Sequence, residues 1–149
     1  MKILDYINNN KDKYINLFCD MDGVLSEYDI NNFDYKTIRP INTSIEFIKN
    51  ISTYNNINLY ILSICKTNKI VEDKITWFNK YMPFLKKENI ILLSKEKYNN
   101  ISSSELKYNY IENHKSDINI LIDDDIRILK YIMNNAKDIK VFHVSSIIK

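Results

Sequence analysis

The chain is predicted to be an α/β protein: a five-stranded parallel sheet with helices on both faces. Three observations predict it. Five short apolar runs alternate along the chain with stretches of helical period, the pattern of strands joined by crossover helices. The chain's one glycine, Gly23, follows Asp20-Met21-Asp22 where the first run ends. A second acidic cluster, Asp123-Asp124-Asp125, directly follows the fourth run.

The elements follow in order. Residues 1–13 are polar and compatible with a short helix packed on the first strand. The first strand is the buried run 14–19, Tyr-Ile-Asn-Leu-Phe-Cys. Residues 26–40 show no clean period and read as a loop or hairpin. Apolar residues at 45, 47, 48 and 51 predict a helix over 42–51 with an Asn or Thr cap. Ile57 to Ser63 reads as the second strand, and Ile70, Val71, Ile75, Trp77 and Phe78 give helical spacing across 69–81. Trp77 and Phe78 are expected in the core. Residues 89–93 form the third strand; a helix over 104–113 begins after a run of serines able to cap it. The fourth strand is 118–122, the next helix 125–134 and the fifth strand 139–144.

Composition sets the broad class. At 149 residues, one domain with one core is expected, spanning 1–149 with its core at about 14–144. A hydrophobic content of 45% with 27% charged residues excludes a disordered chain. The net charge of +2 is too small to indicate nucleic-acid binding by itself. No apolar run approaches membrane-spanning length, and Met1-Lys2-Ile3-Leu4-Asp5 lacks a signal-peptide pattern. The expectation is a cytoplasmic protein with no membrane partner. Cys19 and Cys65 are too few for a disulfide scaffold and read as reduced thiols near strand ends.

The chemistry lies at the strand ends, where open parallel sheets bind ligands. Asp20 and Asp22 emerge there with Gly23, whose missing Cβ permits a tight turn or close approach. Asp oxygens clustered at such an edge suit Mg²⁺. Ser63 closes the second strand, and Lys95, Lys97 or Lys107 offers an ammonium near the third. An Asp-x-Asp pair alone also suits a turn or helix cap; the strand before it, Gly23 and the second acid cluster together favour a metal site. A nucleophile, a hydroxyl, an ammonium and an acid pair are what phosphoryl transfer requires, because its catalysis is mostly positioning and charge neutralisation. His114 and His143 read as ordinary core or surface residues. Tyr28, Phe33 and Tyr35 could stack on a substrate ring, though packing within the hairpin is the simpler reading.

Over roughly residues 14–144 the chain resembles the haloacid dehalogenase-like (HAD) phosphatase superfamily. Asp20-Met21-Asp22-Gly23-Val24-Leu25 with Leu121-Ile122-Asp123-Asp124 looks most like the 5′(3′)-deoxyribonucleotidase branch. The resemblance implies a HAD-like Rossmannoid three-layer sandwich and an aspartyl-phosphate formed on Asp20. Asp22 would act as general acid and then base. Mg²⁺ would be held by Asp20, the backbone carbonyl of Asp22 and the pair Asp123-Asp124, with Asp124 the direct ligand, Asp123 behind it and Asp125 capping the next helix. Ser63 and a lysine would bind the phosphoryl group. Lys107 fits that lysine best, because it precedes Tyr108-Asn109-Tyr110-Ile111 and lies 16 residues before Asp123; Lys95 is the next choice.

The resemblance also implies the substrate: a small phosphorylated molecule, most simply a (deoxy)nucleoside monophosphate. Residues 24–41 leave room for a flap or minimal cap, and 93–104 for none, whereas the nucleotidases carry a longer helical cap. An open site would equally suit a nucleic-acid 3′-end or a phosphoprotein, and a phosphate- or metal-binding module without turnover is a further alternative. A response-regulator receiver domain gathers similar groups, but its acid pair, phosphoacceptor and lysine follow the first, third and fifth strands. The order of motifs here does not match it.

Overall fold

A computed structural model describes residues 2–147. The elements are α1 (Ile3–Asn8), β1 (Ile15–Cys19), α2 (Asn42–Ile51), β2 (Ile57–Cys65), α3 (Asn68–Tyr81), β3 (Ile90–Ser94), α4 (Ser103–Glu112), β4 (Ile118–Asp123), α5 (Ile126–Asn135) and β5 (Ile139–His143). The five strands form one parallel sheet in the order β3-β2-β1-β4-β5. β1 is central and all five of its residues are buried, as a strand covered on both faces requires.

Alternation along the strands sorts the core into two layers. Leu17 and Cys19 of β1, Leu59 and Ile61 of β2, and Ile120 and Ile122 of β4 face one side, against Ile3 and Ile7 of α1, Ile45, Ile48 and Ile51 of α2, and Trp77 and Phe78 of α3. Phe18, Leu62 and Leu121 face the other, against Ile111 of α4 and Ile128, Leu129 and Ile132 of α5. Each fully buried aliphatic or aromatic side chain contributes ~1.5–3 kcal/mol of transfer free energy, which sets the facing of each helix. α3 and α4 therefore lie on opposite faces and approach the same sheet edge from two sides.

The chain path puts the site where the strand order turns. After β1 the chain moves outward to β2 and β3, then crosses back to place β4 on the other side of β1. Cys19 pairs with Ile122, so the residues that follow, Asp20 and Asp123, emerge side by side. The Asp20 amide extends the ladder by donating to the Ile122 carbonyl at 3.0 Å.

Several boundaries differ from the sequence expectation. β2 continues two residues past Ser63, through Ile64 and Cys65, because both prolong the apolar run and Cys65 pairs with Ser94. α2 is capped by Ile41 with no side-chain hydrogen bond, rather than by Asn or Thr; its amide end is fixed by the chain entering from Leu25, whose carbonyl accepts from Ile41 N at 2.8 Å. β5 ends at His143, and Val144 opens a 3₁₀ turn. Segment 26–41 contains isolated bridges, Ser26 with Pro40 and Asp29 with Asn32, rather than a regular hairpin or a helical cap.

Candidate active site at the sheet edge

β1 delivers Asp20 to the edge, and the chain then turns sharply: the amides of Val24, Leu25 and Ser26 all approach the Met21 carbonyl, at 3.1, 2.8 and 3.1 Å. Gly23 has φ +78°, and among the described residues no non-glycine has positive φ. A Cβ on Gly23 would stand 2.1 Å from Asp124 Oδ2 and 2.6 Å from its Cγ. Glycine is thus required twice, by the backbone conformation and by the carboxylate lying against it.

Around this turn the acids of β1 and β4 meet one lysine. Lys107, buried on α4, donates to Asp20 Oδ1 at 2.9 Å and to Asp123 Oδ2 at 2.6 Å. Among the described residues, Asp20 Oδ2 accepts no hydrogen bond. Asp123 is fully buried, and its Oδ1 accepts from Asp125 N at 3.0 Å. Asp20, Asp123 and Asp124 each present a carboxylate oxygen, and these lie within 4.8 Å of one another.

Burial, and then the neighbouring Asp123, push the Asp20 carboxyl well above the usual carboxylate range, with Lys107 opposing. The same two causes raise Asp124 to about 6. Burial disfavours the Lys107 ammonium, but Asp20 and Asp123 outweigh it and keep its pKa above the ordinary lysine value. Three crowded carboxylates facing one ammonium are the setting in which a divalent cation stabilises the charged forms. The all-oxygen donor set fits Mg²⁺, and the cradle exists because Gly23 leaves room for Asp124.

Asp22 lies in a second group. Its Oδ1 accepts from the Tyr35 hydroxyl at 2.7 Å and its Oδ2 from Lys74 Nζ at 2.7 Å. Lys74 is buried on α3 and also donates to Ser63 Oγ at 2.9 Å and to the Ile64 carbonyl at 3.1 Å. Ser63, expected to bind phosphate from a strand end, is fully buried inside β2; its hydroxyl is engaged by Lys74 and does not line the cavity. The two extra residues of β2 carry the strand past it.

The two groups share a cavity of about 520 Å³ that also reaches Tyr28, Phe33, Lys66, Lys95, Ser103 and Arg127. Lys95 lines it and donates to the Ile101 carbonyl, while Lys97 lies over the Tyr98 ring at 5.4 Å. Lys107 is the lysine brought to both acid clusters. Tyr35 is buried against the cavity with its hydroxyl on Asp22, which neither ring stacking nor hairpin packing describes; Tyr28 is 59% exposed, and Phe33 lies under the Lys66 ammonium at 4.1 Å. Asp125 caps α5, Oδ1 accepting from Arg127 N at 2.9 Å. His114 stacks on Tyr110 and His143 bonds Ser145, both away from the cavity. Cys19 and Cys65 are free and buried.

Sequence reasoning missed Lys74. Its signal was position: it falls at helical spacing from Ile70, Trp77 and Phe78, on the face of α3 that enters the core.

No family model matches the chain, and no curated protein matches it. Among solved structures it is similar to the HAD domain of effector protein Lem4 from Legionella pneumophila, with a TM-score of 0.57 and 13% identity over 87% of this chain and 85% of that one. A second structure of that domain, an inactive mutant, gives 0.56 and 12% over 87% and 84%. At this identity the likeness is one of fold, a five-stranded parallel α/β sheet. No described helix is long and apolar enough to cross a membrane.

Proposed function

We propose that the chain is a Mg²⁺-dependent phosphomonoesterase acting through an aspartyl-phosphate on Asp20, with (deoxy)nucleoside monophosphates as its substrates. The observation that carries this reading is the pairing of Lys107 with Asp20 and Asp123 while Asp22 opens onto the same cavity. Asp20 Oδ2 is the nucleophile: it accepts no hydrogen bond among the described residues, whereas Oδ1 is held by Lys107. It bonds to phosphorus as the bond to the leaving oxygen breaks, and Asp22 gives that oxygen its proton. Asp22 then takes a proton from water, the water oxygen bonds to phosphorus, and the phosphorus–Asp20 bond breaks to release phosphate.

Lys107 uses two N–H groups on carboxylates, leaving the third for a phosphoryl oxygen. Mg²⁺, held by Asp20, Asp124 and the Asp22 carbonyl with Asp123 behind, would supply neutralisation of the phosphoryl charge. Tyr28 and Phe33 at the mouth give a nucleobase aromatic surfaces to stack on, beside the cations Lys66 and Arg127. The lack of a helical cap over 26–41 favours a second reading, a phosphorylated nucleic-acid 3′-end or phosphoprotein.

A panel of nucleoside monophosphates, sugar phosphates, 3′-phosphorylated oligonucleotides and a phosphopeptide, each with Mg²⁺ and with EDTA, separates these. Turnover should need Mg²⁺, be fastest on the nucleotides and vanish in Asp20→Asn. Wild-type turnover in that variant would refute the nucleophile. Mg²⁺ binding with silence across the panel would mark a binding module.

A further inference from the structure

We infer that Lys74 and Tyr35 are positioning residues for Asp22, and that Tyr35 thereby ties the 26–41 flap to the proton-transfer steps. The inference rests on the phosphatase reading above and adds to it the groups that aim its proton carrier. Lys74 is 1% exposed on the core face of α3, where a lone ammonium is costly unless its donors are satisfied. They are: Asp22 Oδ2, Ser63 Oγ and the Ile64 carbonyl take one each. An ammonium has three N–H groups, so none remains for a phosphoryl oxygen. Lys74 is built to hold Asp22, in contrast to Lys107.

Tyr35 completes the arrangement from another segment. Its hydroxyl donates to the other oxygen, Oδ1, at 2.7 Å, and the Lys74 ammonium stands 5.3 Å from its ring centroid. Donors on both oxygens, one from α3 and one from the flap, fix the plane of the carboxylate. A carboxylate has about four lone-pair sites, so positions remain for the proton that Asp22 carries. Ser63, anchored in β2, fixes the far side of the ammonium.

The two half-reactions depend on Asp22 differently, which gives the test. 4-Nitrophenolate leaves without needing a proton, so the first turnover on 4-nitrophenyl phosphate does not require a well-aimed Asp22. Attack of water on the aspartyl-phosphate requires it with every substrate. An alkyl phosphate requires it in both steps. For Tyr35→Phe with saturating Mg²⁺, the first-turnover release of nitrophenolate should stay at the wild-type rate. Steady-state turnover should fall by about 10- to 100-fold, a share of the ~10²–10⁴ that placed acid–base groups supply. On an alkyl phosphate the first turnover should slow as well. Lys74→Met should show the same split, and Lys74→Arg should recover part of it; Tyr35→Phe alone decides the matter if Lys74→Met does not fold. Equal losses in first and later turnovers, or no loss, would overturn the positioning role. A wild-type protein inert toward both esters would refute the phosphatase reading and this inference with it. An active wild type that Asp20→Asn silences and Tyr35→Phe leaves unchanged would refute the positioning role alone.

Discussion

The two buried lysines at the sheet edge make different use of the same ammonium. Lys107 arrives from α4 on one face of the sheet and meets two carboxylates, Asp20 and Asp123, with Asp124 beside them. Lys74 arrives from α3 on the other face and meets one carboxylate, a hydroxyl and a carbonyl. Around Lys107, three carboxylates against one ammonium leave excess negative charge in a buried setting. Around Lys74 the charges balance. On the proposed function, the difference separates two roles: a cation would offset charge at the Lys107 side, while the Lys74 side would orient a group that has no need of one.

Removing each lysine should break the comparison most sharply. Lys107→Met leaves Asp20 and Asp123 buried without their counter-charge, and breaking a buried pair in this way costs ~3–5 kcal/mol. Lys74→Met strands the buried Ser63 hydroxyl and Ile64 carbonyl, but Asp22 keeps Tyr35 and a side chain 21% exposed to water; a loss of ~1–3 kcal/mol is expected. Measured against wild type at the same Mg²⁺ concentration, the first loss should shrink, because carboxylates left without Lys107 bind the cation more tightly and ligand binding stabilises the folded state in proportion to that affinity. The second should not, because Lys74→Met keeps the metal cluster of the wild type. Denaturant unfolding with EDTA or Mg²⁺ measures both. Equal losses, or equal Mg²⁺ rescue, would remove the distinction between the two sides.

The same contrast explains what was legible in the sequence. The Lys107 side is built from strand ends, where an apolar run stops abruptly at Asp20 or Asp123, so the acids could be read in order and the lysine narrowed to three residues. The sheet followed from the same runs, with boundaries displaced by a residue or two. The Lys74 side is assembled from a helix interior, a mid-strand serine and an irregular flap. Lysine is common on helices, and nothing local distinguishes one on the core face from one in water except its spacing from Trp77 and Phe78. Ser63 reads as a strand end only when the apolar Ile64 and Cys65 beyond it are left out of the strand. Tyr35 meets Asp22 only through the path of a loop with no periodic signal.

A smaller effect comes from pH. Asp124, raised to about 6 by burial and Asp123, and Asp20, raised by the same causes, hold protons in the folded chain that the unfolded chain has already lost. Where the folded state binds more protons, stability declines as pH rises. For Asp124 that decline runs from near the ordinary value of 3.8 up through about 6. The carboxylates with lowered values, Asp125 and Asp138, act below that window and in the opposite sense. Metal-free protein should therefore unfold at lower denaturant at pH 7 than at pH 5. Asp124→Asn should flatten the slope and saturating Mg²⁺ should remove it. Greater metal-free stability at pH 7 would show that the carboxylates of the Lys107 side do not crowd one another.

The smallest effect is the most exacting about register. Asp125 lies next to Asp124 yet serves the helix: its Oδ1 accepts from Arg127 N at 2.9 Å, and its Oδ2 pairs with an Arg127 side chain that is 90% exposed. Asparagine caps a helix about as well as aspartate, and an exposed ion pair is worth ~0–1 kcal/mol. Asp125→Asn should thus cost less than ~1 kcal/mol and leave Mg²⁺ affinity unchanged by calorimetry, because neither of its oxygens belongs to the cluster of Asp20, Asp123 and Asp124. Asp124→Asn should weaken Mg²⁺ by at least the ~10- to 100-fold that loss of even an indirect metal contact brings. The structural reason for the one-residue distinction is Gly23, whose absent Cβ admits the Asp124 carboxylate to the turn after β1. Were Asp125→Asn to abolish Mg²⁺ binding while Asp124→Asn spared it, the third carboxylate would not be the one Gly23 admits, and the excess charge assigned to the Lys107 side would have to be redrawn.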